Sequence, residues 1–523
     1  MKPHHFLFSI FFITCWVNGF SQISQFDVKH YRIELHVSDA SDQIQVQEEI
    51  EFKHVKTDQQ IVFNLSCRDE SGKGMQIKSL KLNGETTVFR HQNDSLYIES
   101  TGLKGVTQKV QLSFEGIPKD GLIIGKNKYG SRTFFGDNWP TRAQNWFACN
   151  DHLSDKATVE YIIEAPKKYE AVANGALISV QKKTKSKIHH YRSSIALPTK
   201  IMVVGIAEMC IEEAGNVDGK IVRSCVYPKH KKEALYDLEL GPSILEFYSD
   251  YIAPYEYEKL DNVQSTTRFG GMENAGCIFY DENALNGTRS SEALIAHEIV
   301  HQWFGNSATE KDWCHLWLSE GFATYLTNIY IEKTKGQLAF QEQLKKDRNR
   351  IVSFEKHYRH PVVDSSYSSL MDLLNPNSYQ KGGWVLHMLR GEIGDELFHK
   401  AIRTYYQKYR LSNADTKDFQ DVVEQVSGTK LNWFFKQWLH KAGHPKLNIE
   451  SEIHENHLEL IVNQVEDFFI FDLPIQVHFK DGGIAKEKLK VIDQQTRYSN
   501  TYNKSIQSID IDPEVKLLFE LIE

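Results

Sequence analysis

The stretch "HEIVHQWFGN", residues 297–306, decides how the middle of this chain is read. His297 and His301 stand four apart, with Glu298 directly after the first. On an α-helix, positions four apart lie one turn above each other on a single face. Both imidazoles can therefore address one ion. Two imidazoles and a carboxylate suit Zn²⁺, with a fourth position left for water. Glu298 lies beside the pair, where it can take a proton from a water whose pKa the metal lowers toward ~7.

A third ligand has to come from elsewhere, and "LWLSEGFATYL", residues 316–326, supplies Glu320, with eighteen residues between it and His301. The gap predicts that one helix ends near Gly305 and Asn306 and a second begins near Lys311 and Asp312, with Glu320 inside it. Leu316, Trp317, Leu318 and Phe322 surround this carboxylate in the sequence. An unpaired carboxylate in such company is costly to bury, and a zinc ion removes that cost. The expected cofactor is one Zn²⁺ held by His297, His301 and Glu320.

Outward from this centre, the hydrophobic period divides the chain. In "YRIELHV" (31–37) and "IQVQEEIEF" (44–52) apolar and polar residues alternate, and Val110, Leu112 and Phe114 repeat the pattern. Strict alternation marks half-buried strands, so residues 22–210 read as a large antiparallel β domain. From about 230 the spacing changes to three and four, as in "EALYDLELGPSILEFYSDYI" (233–252), and residues 211–443 read as a mainly helical domain. Gly428 after "DFQDVVEQVS" is a fitting helix stop. After 444 alternation returns, with a hairpin turn signal at Asp481-Gly482-Gly483, and residues 444–523 read as a small β-sandwich. A chain of 523 residues accommodates about three domains.

Composition narrows the classes. A net charge of −8 leaves no electrostatic footprint for nucleic acid. The basic run Lys182–Lys187 reads as a solvated loop between strands. Residues 1–21 have the shape of a cleaved secretory signal: Lys2, an apolar run from Phe6 to Val17, then small residues with cleavage after Ser21. The expectation is an exported protein, periplasmic or secreted, with no membrane association beyond that signal. Six cysteines remain after its removal, too few for a disulfide framework. A Cys210–Cys225 bridge across neighbouring strands and buried free thiols are both open.

Three further motifs give the centre a family resemblance. "FGGMENAG" (269–276), "YQKGGWVLHML" (379–389) and the join "FFKQWL" (434–439) with "AGHPKL" (442–447) accompany the histidine and glutamate motifs. Together they resemble the M1 family of zinc metallopeptidases, the gluzincin aminopeptidases. The resemblance implies an α+β multidomain fold: an N-terminal antiparallel β domain, a thermolysin-like mainly helical catalytic domain and a small C-terminal β-sandwich. It implies that Gly270, Gly271, Met272, Glu273 and Asn274 form the substrate-binding segment, with Glu273 holding the free α-ammonium of a peptide. It implies that Tyr379 stabilises the oxyanion and that Glu298 acts first as base, then as acid. The expected substrates are peptides with a free N-terminus.

Two features depart from the family pattern. Many members place a Gln or Glu from the β domain beside the substrate amine, a dozen or so residues before a Cys-x-Asp segment. Here that segment is Cys149-Asn150-Asp151, and counting back reaches Asp137 or Trp139 in "FGDNWPTRAQNWF" (135–147). Asp137 is the candidate second anion, and Trp139 the candidate lining of the first side-chain pocket. Many members also carry a long C-terminal helical domain. This chain ends after the β segment, so its cleft is expected to be more open or covered by another subunit, and oligomeric state stays undetermined. Rival readings are an epoxide hydrolase on the same zinc set, a catalytically dead peptide binder and an endopeptidase. The intact motif residues disfavour the binder, and Glu273 disfavours the endopeptidase.

Overall fold

A computed structural model describes residues 26–522. The expected export signal and its cleavage site after Ser21 lie outside these residues. Among the described residues, no helix is long and apolar enough to cross a membrane.

The N-terminal region is β-rich. Phe26–His36 runs through the middle of a nine-stranded sheet and buries Val28, Tyr31, Ile33 and Leu35 on one face. Ile44–His54 pairs with it antiparallel, whereas Lys156–Pro166 pairs with it parallel, Ile33 lying opposite Tyr161. The expected antiparallel domain is thus mixed at that pair. A parallel partner needs a long crossover, and the many residues between these two strands provide one. Lys183 in the predicted basic loop lies between Ala176–Lys182 and Ser186–Arg192, which pair as a hairpin.

The middle region opens with a five-stranded sheet. Lys220–Val226, Lys259–Ser265 and Cys277–Asp281 run parallel, Cys210–Val217 flanks one side, and the two-residue strand Gly271–Met272 forms the other edge. Lys259–Ser265 is buried along its whole length, as a strand covered on both faces must be. Cys210 lies opposite Val226 and Cys225 opposite Ile211. One step of register puts the two thiols on opposite faces, and all six described cysteines are free.

Among the described residues nine α-helices follow the sheet's first strands, and several boundaries differ from the periodic pattern. The segment from 233 to 252 splits into Lys231–Leu238 and Gly241–Tyr251, because Pro242 has no N–H to continue the first helix and starts the second. The histidine helix is Glu292–Val300, with His301 as its cap, so it stops four residues before Gly305. The glutamate helix is Trp317–Lys335, starting well after Lys311. Between them Ala308–Glu310 pairs in parallel with Ser412–Ala414. Backbone committed to that ladder cannot also be helical. Gly428 ends Thr416–Ser427 in the left-handed region at φ 68°.

The C-terminal region forms a four-stranded and a three-stranded sheet. Phe471–Phe479 alternates buried and partly exposed residues along its length, and Gly482 turns it at φ 85° into Ile484–Val491.

One close approach places the catalytic helices. Gly321 of the glutamate helix meets Gly382 and Gly383 at the start of Gly382–Ile393. A Cβ at position 321 would lie 2.9 Å from the Cα and carbonyl carbon of Gly382. Backbone has nowhere to retreat without separating the two helices. Helix propensity alone makes Gly→Ala stabilising by about 1 kcal/mol. The clash reverses that sign, and Gly321→Ala should destabilise by about 1–3 kcal/mol, measured as a shift of the denaturant midpoint. A stabilised variant would contradict this packing.

Candidate metal centre and active site

The helix carries His297 and His301 one turn apart, and the first turn of the next helix brings Glu320 to them. The two Nε2 atoms lie 3.1 Å apart, and Glu320 Oε2 is 3.4 Å from His297 Nε2 and 3.2 Å from His301 Nε2. Donors ~2.0–2.1 Å from a tetrahedral ion sit ~3.3 Å from one another. Glu320 Oε2 is buried and accepts no hydrogen bond of ordinary geometry. An orphaned oxygen facing two imidazole nitrogens at these separations fits a shared zinc ion. Among the described residues, these three form the one cluster able to hold a metal.

The surroundings hold the imidazoles in place. His301 Nδ1–H donates to the Phe304 carbonyl at 3.0 Å, with Ser319 Oγ 3.2 Å from the same nitrogen. That contact fixes the tautomer that turns Nε2 toward the metal. Gly305, at φ 113°, makes room for it: a Cβ there would fall 2.3 Å from Ser319 Oγ. Without an ion the cluster must balance its own charge. Burial opposes protonating His301, yet Glu320 outweighs it and raises the imidazole to about 10. Burial pushes His297 down. His301 and His297 hold Glu320 well below the carboxylate range despite its burial. A bound cation takes over the role of that proton.

Glu298 faces the edge strand. A Cβ on Gly271 would lie 2.3 Å from Glu298 Oε1 and 2.5 Å from its carboxyl carbon. Only glycine lets this strand approach the carboxylate so closely. Burial, together with Glu273 and Glu320, raises the Glu298 carboxyl well above its ordinary value, against the pull of His301. A raised carboxyl is a stronger base once ionised.

One cavity of about 260 Å³ gathers most of the expected residues. Gly270, Gly271, Met272, Glu273, His297, Glu298, His301, Glu320, Tyr379 and Trp139 line it, with Phe269, Leu294 and Leu374. Asn274 does not: it lies fully buried behind the wall, and its carbonyl accepts from Cys277 N–H at 2.9 Å. Glu273 is buried and its Oε1 has no hydrogen-bond partner. Burial raises its carboxyl, while His301 and Lys200 work the other way.

Asp137 is a correction. It is fully buried, ion-paired with Arg142 and absent from the cavity lining. The guanidinium five residues on uses the charge that a substrate amine would have needed. Trp139 does reach the cavity, braced edge-on by Phe269 at 6.1 Å and Trp313 at 5.6 Å.

Tyr379 occupies a five-residue π turn, Asn377–Lys381, a geometry frequent at functional sites. Its ring stacks on His297, centroids 6.1 Å apart and planes 13° apart. Burial and the carboxylates of Glu320, Glu273 and Glu298 push its phenol well above the ordinary value. It therefore stays protonated and able to donate.

Sequence reasoning passed over two polar residues of its own opening stretch. Gln302 Nε2 donates to the Glu273 carbonyl at 2.7 Å, and Gln302 Oε1 accepts from Gly276 N–H at 2.9 Å. Asn306 Nδ2 donates to the same Glu273 carbonyl at 2.6 Å. The segment just after the histidine helix thus clamps the loop that carries Glu273. Polar side chains among Trp303 and Phe304 were the signal.

Comparison with known proteins identifies the family. The family model for the peptidase M1 N-terminal domain matches residues 27–201, and that for the peptidase family M1 domain matches 236–438. Aminopeptidase M1-C of Oryza sativa subsp. japonica is 30% identical over 68% of this chain and 42% of its own length. Probable aminopeptidase 2 of Sulfurisphaera tokodaii is 28% identical over 72% and 51%. The chain thus spans about half the length of such relatives. The crystal structure of Legionella pneumophila aminopeptidase A in complex with aspartic acid superposes with a TM-score of 0.81 at 16% identity, covering 96% of this chain and 60% of that one. That likeness concerns the fold. With both family models matched in order across the two regions that build the cavity, the chain belongs to peptidase family M1.

Proposed function

We propose that the protein is a zinc-dependent aminopeptidase that removes the first residue from peptides with a free N-terminus. The observation that carries this reading is Glu273: a buried carboxylate oxygen without a partner, in the same cavity as the metal cluster and Glu298. Such a group calls for a cation, and the α-ammonium of a peptide supplies one. Pairing there leaves the first peptide bond in reach of the metal and stops a continuing chain, which disfavours an endopeptidase. An epoxide substrate would leave Glu273 unpaired.

When bound, zinc supplies Lewis acidity toward the substrate carbonyl and a water acidic enough to deprotonate near neutral pH. The chain's own residues do the rest. Glu298 takes the water's proton and returns it to the departing amine. Tyr379 donates to the carbonyl oxygen as negative charge develops there, a contact commonly worth ~3 kcal/mol in the transition state. Gly270 and Gly271 present main chain close to the cavity, where a substrate backbone can lie. Trp139, Met272 and Leu374 offer an apolar seat for the first side chain.

The same reading takes residues 1–21 as an export signal, and 22–210, 211–443 and 444–523 as three units, the last a β-sandwich formed by the two C-terminal sheets.

Chelation should abolish hydrolysis of an aminoacyl-arylamide reporter, and zinc should restore it. Full turnover in metal-free protein would end the zinc assignment. Glu298→Ala should bind zinc stoichiometrically yet lose kcat by about 10²- to 10⁴-fold, read by metal analysis and steady-state rates. Wild-type kcat in that variant would remove Glu298 as the base. N-acetylated peptides should resist cleavage, because they lack the charge that Glu273 pairs with. Equal rates on free and acetylated peptides would refute the amine anchor.

A further inference from the structure

A buried polar chain leads away from the turn that carries Tyr379. The π turn is closed by Lys381 N–H donating to the Pro376 carbonyl at 2.9 Å. Lys381 itself is fully buried. Its Nζ donates to Glu355 Oε1 at 2.6 Å and to the Gly443 carbonyl at 2.8 Å. Glu355 is the last residue of Gln337–Glu355, and its other oxygen lies 2.5 Å from His444 Nδ1. His444 Nε2 in turn lies 3.4 Å from Glu520 Oε2. Lys446–His454 and Glu520–Leu521, beside these groups, pair in parallel in the C-terminal four-stranded sheet.

No catalytic step described above uses these charges. A buried ion pair seldom adds net stability over a well-packed apolar substitute, and its best-attested use is to fix one arrangement among several. What needs fixing here is a π turn, whose backbone spacing is held by its surroundings. Lys381 is two residues past Tyr379 within that turn. Its two anchors are a helix end on one side and the 443–444 segment on the other, so they oppose any rotation of the turn.

We infer that Lys381 is a positioning residue for Tyr379, locking the π turn through Glu355 and the Gly443–His444 segment so that the phenol stays over His297. The inference rests on Tyr379 acting as oxyanion donor. It also makes the start of the C-terminal region a support of the active site.

The test uses the full chain loaded with zinc and an aminoacyl-arylamide reporter. Combining Lys381→Met with Glu355→Gln removes the ion pair without leaving one buried charge alone. The doubly substituted protein should keep stoichiometric zinc and a KM within about twofold of wild type while kcat falls by about ten- to a hundredfold. In a Tyr379→Phe background the same pair should cost kcat less than about threefold, because the group it positions is gone. Equal losses in both backgrounds, zinc loss in step with kcat, or unchanged kcat would overturn the proposal and leave the aminopeptidase reading standing. Unchanged kcat in Tyr379→Phe alone would instead overturn the oxyanion assignment beneath it.

Discussion

Three carboxylates, Glu273, Glu298 and Glu320, share one small cavity with two imidazoles and, among the described residues lining it, no lysine or arginine. Like charges so placed cannot all ionise unaided, and the site's chemistry follows from how each is relieved. Glu320 is relieved by whatever cation its two histidines help to hold. Glu298 is pushed by burial and by its neighbours toward holding a proton, which suits a group that picks one up and passes it on. Burial outweighs what relieves Glu273 within the protein, the pull of His301 and Lys200 and its own backbone N–H, and its Oε1 has no hydrogen-bond partner. In the proposed function the remaining counter-charge arrives with the substrate, as its α-ammonium group.

Close packing of backbone, more than any added side chain, sets these distances. Gly271 brings the edge strand onto Glu298, Gly305 admits Ser319 beside His301, and Gly321 lets the glutamate helix touch the helix after Tyr379. In each case a single Cβ would occupy space now taken by a catalytic or supporting group. The pocket is therefore shaped by where side chains are missing, and its tolerance for substitution is lowest at residues with no functional atoms of their own.

This division explains what the sequence made legible. His297 and His301 were readable because helical spacing puts them on one face, Glu298 because it stands directly beside them, and Glu320 because an apolar helix start holding a carboxylate needs a reason. The β-rich start and the helical middle followed from a change of period near 230. The stop at Gly428 was readable, but the facing ends of the histidine and glutamate helices were not, because the strand Ala308–Glu310 between them finds its partner about a hundred residues later. Asp137 misled for a similar reason. Counting along a motif locates a residue but not its neighbour, and Arg142 had already taken its charge. Gln302 and Asn306 stood in the first stretch read, yet their role depends on a carbonyl some thirty residues upstream.

The N-terminal region supports the site in the same backbone-directed way. Asn174 donates to the carbonyls of Ile201 at 2.9 Å and Ala275 at 2.8 Å, tying its sheet to the loop just after Glu273. Lys156 donates to the carbonyls of Ser307 at 2.8 Å and Ser412 at 2.9 Å, beside the clamp residue Asn306. Lys200 pairs at 2.5 Å with Glu310, both almost fully buried. Removing the Lys200 ammonium alone would leave Glu310 as an uncompensated buried charge, a change that typically costs about 3–5 kcal/mol, whereas removing the whole N-terminal region would uncover it. The larger removal would also release the two loops that carry Asn306 and Ala275. The helices can supply metal ligands without the β region, but the loop that carries Glu273 is held from both sides, by Gln302 and Asn306 on one and by Asn174 on the other. On the proposed reading, selection of a free N-terminus is therefore a property of the two regions together, while the metal-ligand cluster belongs to one.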